Sequence, residues 1–169
     1  MPAVLEGIKV LDFSRYIAGP YAAMLLAEQG ADVIKVEPPD GDPYRKHRGF
    51  IVWNRSKKGI VLNLKSPEGK EIAQRLASRS DVIIENFRPG VADRLGIGYE
   101  TVRKFNPAVI YCSISGFGPS GPYRDTPGWE PIVASIAAAY SSQGGSEGPP
   151  VCLILPLASY YAALMSPFS

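Results

Sequence analysis

The sequence predicts an α/β fold, a doubly wound parallel sheet of Rossmann-like arrangement. Three observations carry that prediction. Short strand-like apolar runs recur about every 20 to 30 residues, with segments of helical period between them. The first run, Ile8–Phe13, is apolar enough for a strand covered on both faces. A complete strand–helix–strand unit fits within Ile8–Arg45, and its ligand edge is expected at the Arg15–Ala18 turn.

After Ile8–Phe13, Gly19-Pro20 turns the chain into a helix, because proline in a first turn forfeits no bond that the helix would make. Tyr21, Met24, Leu25 and Glu28 fall at helical spacing, and Gly30 stops the helix. Val33, Ile34 and Val36 supply the second strand, and Ile60–Leu64 reads as the third. Ser66 caps a helix over Pro67–Arg79, with Glu68 at its positive end and Ile72, Ala73 and Leu76 directed inward. Asp81–Glu85 is a strand broken by Asn86-Phe87-Arg88-Pro89-Gly90. Tyr99–Phe105 reads as helical and Asn106-Pro107 ends it before the strand Val109–Ile114.

Gly116–Gly128 is a loop rich in glycine and proline. A helix is expected over Glu130–Ser142, a flexible stretch over Gln143–Pro150, and a last strand over Val151–Leu157. Ser159–Met165 opens a final helix, and its Tyr160, Tyr161 and Leu164 would leave apolar surface that drives association.

With 169 residues, 46% of them apolar and 20% charged, the chain suits one globular domain with a sizeable core. No apolar run is long enough to span a bilayer and no basic-then-apolar leader opens the chain, so the cytoplasm is the expected compartment. Cys112 and Cys152 both lie in strand-like runs and read as buried free thiols of a reducing compartment. Two cysteines and one histidine leave no conventional zinc site.

Charge is uneven. Between Pro43 and Pro67 stand seven Lys or Arg and no acid, while the remainder holds 11 basic against 16 acidic residues. The basic stretch is either a solvated loop or a site for a phosphorylated small molecule. A long polyanion such as nucleic acid would be repelled by the acidic remainder.

Gly116-Phe117-Gly118-Pro119-Ser120-Gly121 spells a dinucleotide fingerprint by letter, but Pro119 and Pro122 interrupt the amides that would cradle a pyrophosphate. It reads better as a glycine loop beside a site. His47, the single histidine, lies in the basic loop and reads as a surface residue. Glu130, after Gly128-Trp129, is either a helix-start carboxylate favoured by the dipole or a general base.

Four ordered segments together resemble the class III CoA-transferases. They are GIKVLDFSRYIAGPYAAMLLAEQGADVIKVEPPDGDPYR, NRSKKGIVLNLKSPEGKE, DVIIENFRPGVADRLGIGYETV and NPAVIYCSISGFGPSGPYRDTPGWE. That family includes formyl-CoA transferase, the carnitine and bile-acid CoA-transferases and the α-methylacyl-CoA racemases. The resemblance implies that residues 1–169 are the N-terminal part of a large CoA-binding domain, incomplete at its C-terminal end and without the family's small domain. It also implies an interlocked homodimer.

By the same resemblance, Tyr16, Ile17 and Ala18 form the turn that contacts CoA. Leu62 and Lys65 belong to the nucleotide-contacting strand, and Asn86, Phe87 and Arg94 to the following segment. Where some members place an arginine on the adenine side, this chain has Pro38. CoA or acyl-CoA is then a substrate, with a small carboxylic acid as the second one, and no permanently bound cofactor or metal is implied.

In the family, an aspartate at the start of the last helix attacks the acyl-CoA thioester. Here the run LPLASYYAAL puts Ser159 at that position. Glu130 aligns with a family glutamate beside the site, and Trp129 stands where the racemases need a histidine. The implied activity is CoA transfer between an acyl-CoA and a carboxylic acid, with Ser159 and Glu130 at the reacting end. The alternative is a non-catalytic CoA-binding half, or a fragment, of such an enzyme.

Overall fold

The protein is represented by a computed structural model that describes residues 3–141, 148–149 and 151–168. Five strands form one all-parallel sheet: β1 (Lys9–Asp12), β2 (Asp32–Glu37), β3 (Lys58–Val61), β4 (Val82–Glu85) and β5 (Ile110–Ser113), in the order β3-β2-β1-β4-β5. The helices are α1 (Ala18–Glu28), α2 (Gly49–Trp53), α3 (Pro67–Ala77), α4 (Val91–Arg94), α5 (Tyr99–Val102), α6 (Glu130–Ile136) and α7 (Leu157–Met165), the last running into a 3₁₀ turn at Ser166–Phe168. The predicted class therefore holds.

The strand alternation makes the sheet two-sided. Leu11 and Phe13 of the β1 segment, with Val36 and Ile83, face a core closed by Ala73 and Ala77 of α3 and by Ala92, Ile97 and Val102. Val10, Val33 and Ile84 point the other way, onto Ala23 and Ala27 of α1. A period of two along each strand thus feeds two cores, which is why the central strands read as continuous apolar runs.

Helix ends follow local chemistry. Gly30 takes a φ of 101°, its N–H donates to Ala27 O, and Ala31 N–H donates to Leu26 O, closing α1 with a Schellman motif. Ser66 Oγ accepts from Gly69 N–H at 3.1 Å and Pro67 opens α3. α1 starts one residue before Gly19-Pro20, so the reversal is made by residues 15–17 and Pro20 sits in the first turn.

Several sequence expectations are corrected. Val151–Leu157 is not a strand: no described strand pairs with it, Ile154 is fully exposed, and α7 has already begun at Leu157. An apolar run needs a hydrogen-bonded neighbour to become a strand. Cys152 in that run is accordingly exposed, and Cys112 on β5 is half-buried. β3 starts two residues earlier than read and ends three earlier, so Leu62 and Leu64 follow the strand. Ile72 faces outward while Ala73 and Ala77 take the buried stripe of α3. α6 stops at Ile136, just before Ala138 turns left-handed at a φ of 55°. The expected flexible stretch at 143–150 falls largely outside the described residues. No helix among the described residues is long and apolar enough to cross a membrane.

Candidate functional site

Strand order reverses between β1 and β4: β2 and β3 lie to one side of β1, and β5 lies beyond β4. Chains leaving the carboxyl ends of these two strands part in opposite directions and open a crevice. The turns that line it are Phe13–Ile17 and Asn86–Gly90.

Each turn is tied by the carboxylate that ends its strand. Asp12 Oδ1 accepts from Ser14 N–H at 2.9 Å and also from the Ser14 hydroxyl. Glu85 Oε2 accepts from Phe87 N–H at 2.7 Å, and its other oxygen accepts from the Ser113 hydroxyl. Asn86 then joins the turns. Its Nδ2 donates to Arg15 O, and Arg15 N–H donates to Asn86 Oδ1, both at 2.8 Å. Tyr16 follows with a φ of 63°, a strained left-handed position for a bulky residue. Gly19 lets α1 press on this turn, since a methyl group there would collide with the Ser14 side chain.

The carboxylates differ in their charge balance. Burial opposes ionisation of Asp12, but Lys57 and Lys35 outweigh it and hold the carboxyl below its ordinary range. Lys57 Nζ reaches Asp12 Oδ2 at 2.8 Å and Pro20 O at 2.7 Å, with both side chains shut off from solvent. Lys35 Nζ donates to Ser14 O at 2.8 Å and pairs with Asp42 at 3.0 Å. Glu85 has no such cation, and burial pushes its carboxyl up despite the hydrogen bonds it accepts.

The basic stretch is therefore mostly occupied. Lys57 is paired with Asp12, Arg45 with Glu37, Arg55 with Glu28 and Lys58 with Asp32. Of the seven cations, only Lys46, Arg48 and Lys65 have no ion pair among the described residues. Four of its seven cations are thus held by acids from elsewhere in the chain rather than standing free in solvent. His47 is exposed as expected, its ring 4.3 Å from Tyr44 and stacked towards Trp53.

Glu130 and Ser159, 29 residues apart, meet directly. Ser159 Oγ donates to Glu130 Oε2 at 2.7 Å and Ser159 N–H donates to the same oxygen at 2.9 Å. Ala158 N–H donates to Oε1 at 2.7 Å. Glu130 starts α6, as the helix-start reading expects, and its carboxylate also caps α7.

Two cavities adjoin the crevice. One, about 820 Å³, is lined by Tyr16, Ile17, Ala18, Asn86, Phe87, Glu130 and Ser159 among others. The other, about 490 Å³, is lined by Leu62, Lys65, Pro38 and Phe87 among others. They share Arg15, Phe87 and Val91 as walls, and the Arg15 guanidinium lies 5.4 Å over the Phe87 ring. Of the residues singled out from the sequence, Arg94 alone lines neither; it is exposed on α4. Sequence reasoning overlooked Tyr44, Arg88 and Arg124 in the larger cavity. Arg88 stands next to Phe87 within a segment already marked, so its position was a usable signal.

A parallel open sheet with two cavities at its switch point defines an open doubly wound α/β protein with a ligand-sized crevice there. The comparisons narrow this: CoA-transferase family III matches residues 5–169, and the chain belongs to that family. Formyl-CoA:oxalate CoA-transferase of Streptomyces avermitilis is 42% identical over 160 residues, which is 89% of this chain and 39% of that protein. Succinate–glutarate CoA-transferase of Agrobacterium fabrum is 38% identical over 178 residues, 96% of this chain and 44% of that protein. The crystal structure of a CAIB/BAIF family protein from Brucella suis superimposes with a TM-score of 0.94 at 34% identity, over 99% of this chain and 48% of that one. The chain thus spans less than half the length of each of these relatives.

Proposed function

We propose that this chain binds coenzyme A along the switch-point crevice and belongs to an enzyme that moves CoA between an acyl-CoA and a carboxylic acid. The observation that carries the reading is the pair of cavities sharing Arg15, Phe87 and Val91. CoA is bipartite, with a phosphorylated nucleotide at one end and a thiol-bearing pantetheine arm at the other. In this reading Leu62 and Lys65 hold the nucleotide end and Arg15 neutralises phosphate between the cavities. The Tyr16–Ala18 turn and Phe87 line the arm, while Glu130 and Ser159 face the thioester. Arg94 guides the nucleotide from outside the cavities, and Asn86 acts through the turn it holds rather than on the ligand.

A carboxylate nucleophile would form a mixed anhydride with the acyl group, reactive enough for the released thiolate to attack again. Ser159 would form an ordinary ester, which resists that return step. Its hydroxyl needs a base, and both Glu130 oxygens already accept backbone N–H bonds. This observation favours the second reading, in which the chain supplies a CoA-binding half without the usual nucleophile. CoA is a substrate in the first reading and a bound ligand in the second. Among the described residues no cluster of three or more His, Cys, Asp or Glu has metal-holding geometry.

A cytoplasmic site of action fits the exposed free thiol of Cys152. A homodimer is in keeping with Ile136, Tyr161, Leu164 and Met165, which leave apolar surface on α6 and α7. Isothermal titration with CoA tests the ligand. Heat with a single-site isotherm, weakened in Lys65→Ala, is expected; no heat overturns the assignment. Exchange of a labelled acyl group between CoA thioester and free acid then separates the readings, because only the enzymatic one gives exchange.

A further inference from the structure

Resting on the CoA-binding reading, we propose that Lys35 is a positioning residue: its buried ammonium holds Tyr16 and Tyr44 in register as an aromatic wall for the thiol-bearing arm of CoA. The two rings come from different segments, one after β1 and one after β2, yet both line the larger cavity. They meet edge to face with centroids 6.1 Å apart.

The ammonium reaches both segments at once. On the Tyr16 side, Lys35 Nζ donates to Ser14 O at 2.8 Å. That carbonyl shares a peptide unit with the Arg15 N–H, which donates to Asn86 Oδ1 at 2.8 Å. The unit is thus held at both ends, just ahead of Tyr16, whose left-handed φ of 63° needs such support. On the Tyr44 side, the same Nζ lies 3.0 Å from Asp42 Oδ2, and Asp42 Oδ1 accepts from Tyr44 N–H at 2.8 Å. Glu37 braces this second segment, accepting from Asp42 N–H at 3.0 Å and from the Arg45 guanidinium at 2.7 and 3.0 Å.

The Lys35 and Asp42 side chains are only 3% and 1% exposed, so solvent and salt screen the pair little. Stability alone does not explain it, since apolar residues of similar volume often replace a buried ion pair without loss. Neither residue lines a cavity, so the pair acts on a ligand only through the segments it holds.

The test is a double-mutant cycle read by calorimetric titration of CoA, at a temperature below the melting transition of every variant. Lys35→Met removes the ammonium. Asp42→Asn keeps an acceptor for Tyr44 N–H and releases Lys35, so it carries the comparison if the first variant fails to fold. Each change should weaken CoA about tenfold, the scale of re-ordering one or two loosened side chains on binding. In a Tyr44→Ala background no second ring remains to be placed, and the same changes should weaken CoA by less than about twofold. A general structural defect would instead give the same loss in both backgrounds. Equal losses, or none in either, overturn the Lys35 assignment while leaving the CoA reading standing. Failure of the unmodified chain to bind CoA overturns both.

Discussion

Asn86 spends its whole side-chain amide on the backbone of Arg15, donating to the carbonyl and accepting from the N–H, each at 2.8 Å. Seventy-one residues apart in sequence, these two positions close the crevice between β1 and β4 and fix the turn that carries Tyr16. The clamp makes Asn86 a positioning residue. Asn86→Ala should cost about 1–3 kcal/mol, because both partners lose a part-buried hydrogen bond. Asn86→Asp keeps the acceptor alone and should recover part of the loss. Urea denaturation of the three proteins checks the order wild type, Asp, Ala.

Lys57 and Asp12 form a pair withdrawn from solvent. Lys57→Met leaves the Asp12 carboxylate buried beside Lys35 alone and should destabilise by about 3–5 kcal/mol. Adding Asp12→Asn removes the stranded charge, so the double variant should be more stable than Lys57→Met. Since Asp12 titrates below its ordinary value when folded, its contribution is present above that value and is lost as pH falls through the lowered one. An acid titration of stability should therefore show a steeper low-pH loss in the wild type than in the double variant.

Glu85 behaves in the opposite sense. Its folded carboxyl is raised by burial, so the folded state holds the proton more firmly than the unfolded chain does. That contribution is fully present below the ordinary carboxylate value and is lost as pH rises through the raised one. Relative to wild type, Glu85→Gln should gain stability as pH is raised through this window. Thermal melts across the range from pH 4 upward check the trend; a constant difference at every pH would contradict it.

Ser159→Ala removes the hydroxyl that donates to Glu130 and should cost about 1 kcal/mol, with α7 still capped through the two N–H bonds. Ser159→Asp instead brings a second carboxylate against Glu130, so one of the two should hold a proton above its ordinary value. If Ser159 stands at the nucleophile's position, this variant should gain exchange of CoA between thioester and acid. No gain, with CoA still bound, would mean that the nucleophile belongs at another position.

Local chemistry was legible in the sequence. The strands of the first βαβ unit, the Ser66 cap, the Gly30 stop and the turns after β1 and β4 each depend on a few adjacent residues. The resemblance also brought Glu130 and Ser159 onto one page before the geometry joined them. What stayed hidden depends on distant partners. The basic stretch looked free because the acids that neutralise Lys57 and Arg55 lie 45 and 27 residues away. Val151–Leu157 looked like a strand because an apolar run carries no sign of whether a neighbour will pair with it. α2, with five residues, is too short for a helical period to show.

The central claim is that the crevice between β1 and β4 takes coenzyme A, and a crystal of the protein grown with that ligand tests it most directly. The account predicts density running from Lys65 past Arg15 and Phe87, with the thiol end near Glu130 and Ser159. Density elsewhere on the molecule, or a crevice holding only water at saturating CoA, would contradict it.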